Sequence, residues 1–172
     1  MTTIRPATST DLPRLHPVVE RAYRGDSARQ GWTHEADMLF DARTDLATLA
    51  ALIDGDSRIL IALDGGTILG CVNIADRGAG LAYLGLLCVD PQLQARGIGK
   101  QLIAAAEATA RDSFAATRVE MTVIDRRVEL IAWYERHGYA RTGETRPFPV
   151  AVEPPLTMVV LAKPLFDQRQ LP

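Results

Sequence analysis

The stretch "VDPQLQARGIGKQLIAAAEATA", residues 89–110, joins an extended run to a helix through two glycines. Upstream, "GLAYLGLLCVD" (80–90) is typical of a strand, and downstream apolar residues recur at helical spacing: Ile98, Leu102, Ile103, Ala106 and Ala110. Gly97 and Gly99 therefore lie at a helix N-terminus. Its backbone N–H groups lack partners, its dipole favours negative charge, and glycine lets a phosphate approach the main chain. The stretch predicts a site for a phosphorylated ligand.

Two common phosphate-binding motifs fail at particular positions of this stretch. A Walker A loop needs glycine where Gln94 stands and a hydroxyl residue where Gln101 stands. A dinucleotide-binding fingerprint starting at Gly97 needs a third glycine or an alanine where Leu102 stands. What remains is "QARGIG" (94–99), preceded by "VDP" (89–91).

Composition narrows the function classes. The 172 residues predict one domain covering 1–172, and 19 basic against 21 acidic residues argue against a nucleic-acid or anionic-membrane partner. The N-terminus does not resemble a secretion signal and no apolar run has membrane-spanning length, which predicts a cytoplasmic protein. Cys71 and Cys88 lie in predicted strands and are expected to be buried thiols. The three histidines are far apart, so no metal site is expected.

The order of predicted elements is β-α-α-β-β-β-α-β-α-β-β, which indicates a mixed α/β sheet with helices on its faces. Thr10 and Thr44 are the expected N-caps of the first two helices. The expected strands are 3–7, 58–63, 67–75, 81–89, 118–124, 139–143 and 156–161. The proline-rich "RPFPVAVEPP" (146–155) predicts an irregular segment.

Three segments resemble the GCN5-related N-acetyltransferase (GNAT) superfamily. The loop "QARGIG" is similar to its motif A, and "LIAWYERHGYARTGE" (130–144) is similar to its motif B, with Tyr134, Gly138 and Tyr139 in the expected places. The opening Ile4–Ala7 resembles its first strand, so the likeness spans nearly the whole chain. It implies a single-domain α/β fold with a mixed, mostly antiparallel sheet of about seven strands and about four helices, splayed between strands 4 and 5.

The resemblance implies acetyl-CoA as co-substrate, with no metal. Backbone amides of the loop would hold its pyrophosphate. The loop residues are Gln94, Ala95, Arg96, Gly97, Ile98, Gly99 and Lys100. Lys100 supports this, since a cation in the first turn of a helix is unfavourable unless an anion is near. The strand residues Leu87, Cys88 and Val89 would present backbone groups to the thioester and pantetheine. Asp125 stands where relatives often have the asparagine that contacts the pantetheine arm.

Acetyl transfer to an amine needs a base, donors for the developing oxyanion and a proton for the thiolate. Tyr134, the motif's tyrosine, is the expected proton donor; the alternative is a core-packing tyrosine. Base candidates are Glu120 on the fifth strand and Glu35 or Asp37 in "GWTHEADMLF" (31–40), which in the family borders the acceptor pocket. Solvated acids are the alternative reading of that loop.

The resulting functional prediction is transfer of an acetyl group to a primary amine of a small molecule or amino-acid derivative, by direct attack. Cys88 as a covalent nucleophile is disfavoured because no histidine is near it in sequence. The rivals are a non-catalytic acyl-CoA-binding regulatory domain, a protein or peptide N-acetyltransferase, and a general nucleotide-binding domain. The sequence leaves monomer and homodimer open.

Overall fold

The computed structural model describes residues 1–25, 29, 31, 38, 43–94 and 96–165. Seven strands form one sheet in the order β1-β2-β3-β4-β5-β7-β6. Every neighbouring pair is antiparallel except β4 and β5, which run parallel. The predicted mixed, mostly antiparallel sheet is therefore confirmed. The strands are β1 Thr3–Pro6, β2 Ser57–Asp64, β3 Thr67–Asp76, β4 Leu81–Val89, β5 Arg118–Ile124, β6 Ala140–Pro147 and β7 Thr157–Pro164.

Helices cover both faces of the sheet. They are α1 Leu12–Tyr23, α2 Leu46–Ala51, α3 Ile98–Phe114 and α4 Val128–Arg136, with short 3-10 turns at Ser9–Asp11 and Pro91–Leu93. One buried cluster packs α1 and α2 against one face, and a larger cluster packs α3 and α4 against the other. None of the described helices combines the length and apolar character needed to cross a membrane.

The first two helices begin one residue later than predicted. Asp11, not Thr10, precedes α1, and its carboxylate accepts hydrogen bonds from the Thr8 amide and from both terminal nitrogens of Arg5. Asp45 caps α2 by accepting from the Thr48 amide at 2.7 Å. Asp45 follows Thr44 directly and can also cap, and its carboxylate is favoured by the positive end of the helix dipole. Asp11 occupies the N-cap position of α1 without a side-chain capping hydrogen bond to that helix.

The irregular segment predicted for 146–155 begins two residues too early. Strand β6 continues through Arg146 and Pro147. A proline is tolerated there because β6 is the edge strand of the sheet, where a missing N–H removes no ladder bond on the solvent side. Its partner β7 likewise extends three residues beyond the predicted end, to Pro164.

A β-bulge in β4 changes which face its side chains occupy. Ala82 and Leu84 belong to the α3/α4 cluster, whereas Leu86 and Cys88 belong to the α1/α2 cluster. Strict alternation would have kept all four on one face. The register shifts because β4 spends three residues between positions that β3 spans in two, and Leu86 takes a left-handed φ of 50°. The bulge therefore turns the second half of β4 over.

Candidate active site

A cleft opens where β4 and β5 separate. The two strands pair only along Leu81–Tyr83 and Arg118–Glu120. At the point of separation the Tyr83 hydroxyl forms a hydrogen bond of 2.7 Å with Thr122 Oγ1, so side chains replace the backbone ladder there. The cleft has a volume of about 1360 Å³ and is lined by both strands, the start of α3, helix α4 and residues 148–152.

The start of α3 exposes its backbone to this cleft. Gly97 is the N-cap residue, with a left-handed φ of 74°, and a Cβ there would meet no described atom within 4 Å. A Cβ on Gly99 would lie 3.5 Å from the Trp133 ring, so the indole packs over this glycine. Lys100 is exposed at the rim of the cleft. The helix start has the open amides and the cation that a phosphate site requires.

Most residues expected to bind the cofactor line the cleft. They are Leu87, Cys88, Val89, Gln94, Gly97, Ile98, Gly99 and Lys100. Arg96 and Asp125 are exposed and are not among the lining residues, and Ala95 lies outside the described residues. Arg127, which the sequence did not single out, is buried at the start of α4 and lines the cleft. Its only signal in the sequence is its closeness to motif B.

The second half of β4 is held by α1. The Tyr23 hydroxyl, at the end of α1, donates to the Leu87 carbonyl at 2.6 Å, a contact that no sequence motif indicated. The Cys88 sulfur lies 3.7 Å from that of Cys71, and neither is in a disulfide. Hydrogen bonding with Cys88, together with burial, raises the pKa of the Cys71 thiol. The thiol pair belongs to the packing under α1.

Tyr134 lines the cleft from α4. Its side chain is 5% exposed and packs edge-on against Trp133 and Tyr139, with ring centroids 5.2 and 5.9 Å away. Its hydroxyl makes no hydrogen bond within the part of the chain that the structure describes. Burial is the main cause that raises the pKa of Tyr134, and the nearby Tyr83 adds to it. The hydroxyl therefore stays protonated at neutral pH and can donate a hydrogen bond.

The acid candidates are placed differently from one another. Glu120 has a side chain 10% exposed, accepts from Arg146 Nη2 at 3.0 Å, and is not among the residues that line the cleft. Glu35 and Asp37 lie outside the described residues. The described residues contain no group of three or more histidine, cysteine or acidic side chains placed to hold a metal ion.

The segment between β6 and β7 covers the cleft at its other end. Residues 148–152 all line it. Phe148 and Val152 pack in a small apolar cluster with Ile124, Leu156 and Met38. This cluster fixes the segment to the splayed end of β5.

The fold has many solved counterparts. The ribosomal-protein-S18-alanine N-acetyltransferase from Escherichia coli has a TM-score of 0.74 and 18% identity over 100% of this chain and 99% of that one. A putative acetyltransferase, yncA, from Salmonella typhimurium with its cofactor acetyl-CoA has a TM-score of 0.70 and 17% identity over 100% and 98%. A spermidine N-acetyltransferase SpeG chimera from Vibrio cholerae and hSSAT has a TM-score of 0.72 and 14% identity over 95% of both chains.

Sequence comparison gives the family. No curated protein matches the chain significantly. The acetyltransferase (GNAT) family matches residues 18–139, which include the bulged strand, the glycine-led helix and Tyr134. Because this match covers more than half of the chain, the protein is a member of the GNAT family of acetyl-CoA-dependent acetyltransferases.

Proposed function

We propose that this protein transfers the acetyl group of acetyl-CoA to a primary amine of a small molecule or amino-acid derivative. The observation that carries the proposal is that one cleft joins the open, glycine-led start of α3 to the protonated hydroxyl of Tyr134. The first feature suits an anionic phosphate and the second suits a departing thiolate.

The volume and the cations of the cleft support acetyl-CoA as its ligand. Its pyrophosphate is proposed to bind the amides of Gly97–Lys100, supported by the open space above Gly97 and by the Lys100 cation. Its pantetheine arm is proposed to lie along Leu87–Val89, where β5 has moved away and leaves the strand edge unpaired. Arg127 is in place for a further anionic or carbonyl group of the ligand.

The chemical step needs three groups: a base for the amine, a hydrogen-bond donor for the oxyanion and a proton donor for the thiolate. An alkylamine, with a pKa of about 10.4, must first lose a proton. The thioester oxygen then needs a donor, for which we propose a backbone N–H near Leu87 or Cys88. The thiolate, with a pKa of about 8.5 by analogy with cysteine, would accept a hydrogen bond from Tyr134. Direct attack is the proposed route, supported by the contact of the Cys88 sulfur with that of Cys71 in the packing under α1.

The identity of the general base remains a hypothesis, and the candidates are the acids of the 31–40 segment and Glu120. The ion pair of Glu120 with Arg146 favours a structural role for Glu120, which leaves Glu35 and Asp37 as the stronger candidates. A cytoplasmic location and one domain over 1–172 remain part of the proposal, with monomer and homodimer both open. A metal is not required by this mechanism.

Solved proteins of this fold are named for different acetyl acceptors. The Escherichia coli structure is named for a protein alanine and the chimera for spermidine, and identities below 20% carry neither acceptor over to this chain. Residues 148–152 add a wall to the cleft beside the splayed end of β5, which favours a small acceptor above a protein segment. Thiol release from acetyl-CoA in the presence of small amines is the direct test. Binding of acetyl-CoA without thiol release from any amine or peptide would instead support the regulatory alternative.

The cofactor site is tested by a matched pair of glycine variants. Gly97 and Gly55 both have left-handed φ values, of 74° and 61°, and neither has a described atom within 4 Å of an added Cβ. Alanine therefore costs each position about 1 kcal/mol of backbone strain. We expect Gly97→Ala to reduce the rise in Tm caused by acetyl-CoA, while Gly55→Ala keeps it. An equal rise in both variants would show that the glycine-led loop is only a turn.

A further inference from the structure

The sheet face that carries α1 and α2 becomes polar beside the cleft. On β3 the apolar Cys71 is followed two residues later by Asn73, which is 6% exposed and lines the cleft. On β4 the residues on this face before the bulge include Tyr83 and Gly85. On β5 they include Glu120 and Thr122, of which Thr122 lines the cleft. Asn73, Tyr83, Gly85 and Thr122 form a polar, partly buried floor of the cleft next to the splay.

The floor presents fixed polar groups. Both N–H bonds of the Asn73 amide are used, donating to Ser57 Oγ at 2.8 Å and to the Arg58 carbonyl at 2.9 Å. The Asn73 Oδ1 atom is therefore left as an acceptor for an N–H group. Gly85 lies opposite Asn73 in the β3–β4 register, and having no side chain it leaves space beside the Tyr83 ring.

The guanidinium of Arg77 lies beside this floor, above the ring of Tyr83. The Arg77 guanidinium lies 5.1 Å from the centroid of the Tyr83 ring and lines the cleft. It forms no ion pair with a carboxylate of the described residues. Stacking on an aromatic ring holds a guanidinium flat while its N–H edge stays available for a bidentate anion.

The described part of the cleft lining holds no aspartate or glutamate. Its charged members are Arg24, Arg43, Arg77, Lys100 and Arg127. Among the described lining residues the cations outnumber the carboxylates, which favours an acceptor that carries an anionic group. Glu35 and Asp37 belong to a segment outside the described residues, so a polyamine belongs among the test substrates.

From this arrangement we propose that the acceptor is an amine that also carries a carboxylate, of the free amino-acid class, with Arg77 binding the carboxylate and Asn73 Oδ1 accepting from the amine. This inference rests on the proposed N-acetyltransferase activity and adds its substrate class. Arg77 is then the residue that determines specificity, since an amide or a polyamine offers it no anion. Tyr83 holds the guanidinium in place, and its hydroxyl is fixed by Thr122.

The test compares free L-amino acids with their C-terminal amides and with spermidine, following thiol release from acetyl-CoA. For the preferred side chain we expect kcat/KM for the free acid to exceed that for the amide by roughly ten-fold. Arg77→Gln should lower the free-acid value by roughly ten-fold, mainly through KM, and leave the amide value unchanged. Arg118→Gln, which removes an exposed arginine outside the cleft, is the control and should change neither.

The outcomes separate the two levels of the proposal. Turnover of amides or spermidine at or above the rate for free acids overturns the carboxylate inference and leaves the N-acetyltransferase function standing. An unchanged acid-to-amide ratio in Arg77→Gln overturns the role of Arg77. Absence of thiol release with every amine, while acetyl-CoA still raises the Tm, overturns the proposed function and the inference together.

Discussion

The parts of β4 before and after its bulge have different roles. Before the bulge the strand pairs with β3 and, over Leu81–Tyr83, also with β5, and its Ala82 and Leu84 side chains pack under α3 and α4. Beyond the bulge at Leu86 the strand keeps β3 but loses β5, and its side chains pack under α1. The first half builds the sheet, and the second leaves a backbone edge facing a cleft.

The change of side-chain face between the halves comes from one residue of extra chain in β4, whereas the pairing with β5 already ends at Tyr83. Leu86 takes a conformation that non-glycine residues adopt at a cost, and it is held there by burial in the α1 cluster. An unpaired strand edge in a core is normally unfavourable, so the space beside it is suited to a ligand that supplies the missing hydrogen bonds. Substitutions around each half can show whether function is confined to the second.

The largest expected effect is at Tyr134, on the wall facing the splayed half. Tyr134→Phe should lower kcat by about 100-fold if thiol departure limits the rate, the usual scale for a positioned general acid. Acetyl-CoA binding should be preserved. Because burial keeps the folded pKa of Tyr134 above its ordinary value, its proton stays bound as the pH rises to about 9.5. The ratio of wild-type to variant kcat should therefore be constant up to that pH.

Tyr139 provides the control for that substitution. It is buried beside Tyr134, but its hydroxyl donates to Glu107 at 2.9 Å. Tyr139→Phe should lower the free energy of unfolding by about 1 kcal/mol or more and leave kcat unchanged. Wild-type kcat in Tyr134→Phe would remove this hydroxyl from the mechanism and leave water as the donor.

A smaller effect is expected from the same substitution placed in each half of β4. Leu84 and Leu86 are both buried, at 2% and 7% exposure, but only Leu86 has a positive φ. Because a β-branched side chain fits that conformation poorly, Leu86→Ile should lose about 1 to 2 kcal/mol more unfolding free energy than Leu84→Ile. It should also weaken acetyl-CoA binding roughly ten-fold, or about 1.4 kcal/mol.

Chemical denaturation and calorimetric titration of the two isoleucine variants measure these differences. Equal stability and equal acetyl-CoA affinity in both would mean that the bulge has no part in shaping the site. Weakened binding in Leu84→Ile alone would place the cofactor contact on the paired half.

The smallest effect is expected at Glu120, which stands opposite Tyr83 in the paired half. Its ion pair with the partly exposed Arg146 predicts that Glu120→Gln lowers the unfolding free energy by about 1 kcal/mol. The kcat/KM for the amine should stay within about two-fold across pH. Loss of kcat/KM together with a displaced acidic limb of the pH profile would instead establish Glu120 as the base. The same measurements on Glu35→Gln provide the comparison.

Local signals explain which features could be predicted. Gly138, one of the motif B positions, has a φ of 94° just after α4 ends, a conformation that only a residue without a Cβ takes easily. The caps at Asp11 and Asp45 were each missed by one residue, since neighbouring threonines carry the same signal. No sequence motif indicated the roles of Arg127, Tyr23 or the Tyr83–Thr122 hydroxyl pair. Their positions follow from contacts with residues distant in the chain.

The sequence by itself determined the order of strands and helices, the glycine-led start of α3 and the family, because periodicity, glycine chemistry and motif spacing are local properties. Only the tertiary structure decided where β4 leaves β5, which way its side chains turn after Leu86, and that Glu120 pairs with Arg146. Those features depend on register between strands and on packing across the sheet. Such contacts join residues far apart in the chain, so no short stretch of sequence contains them.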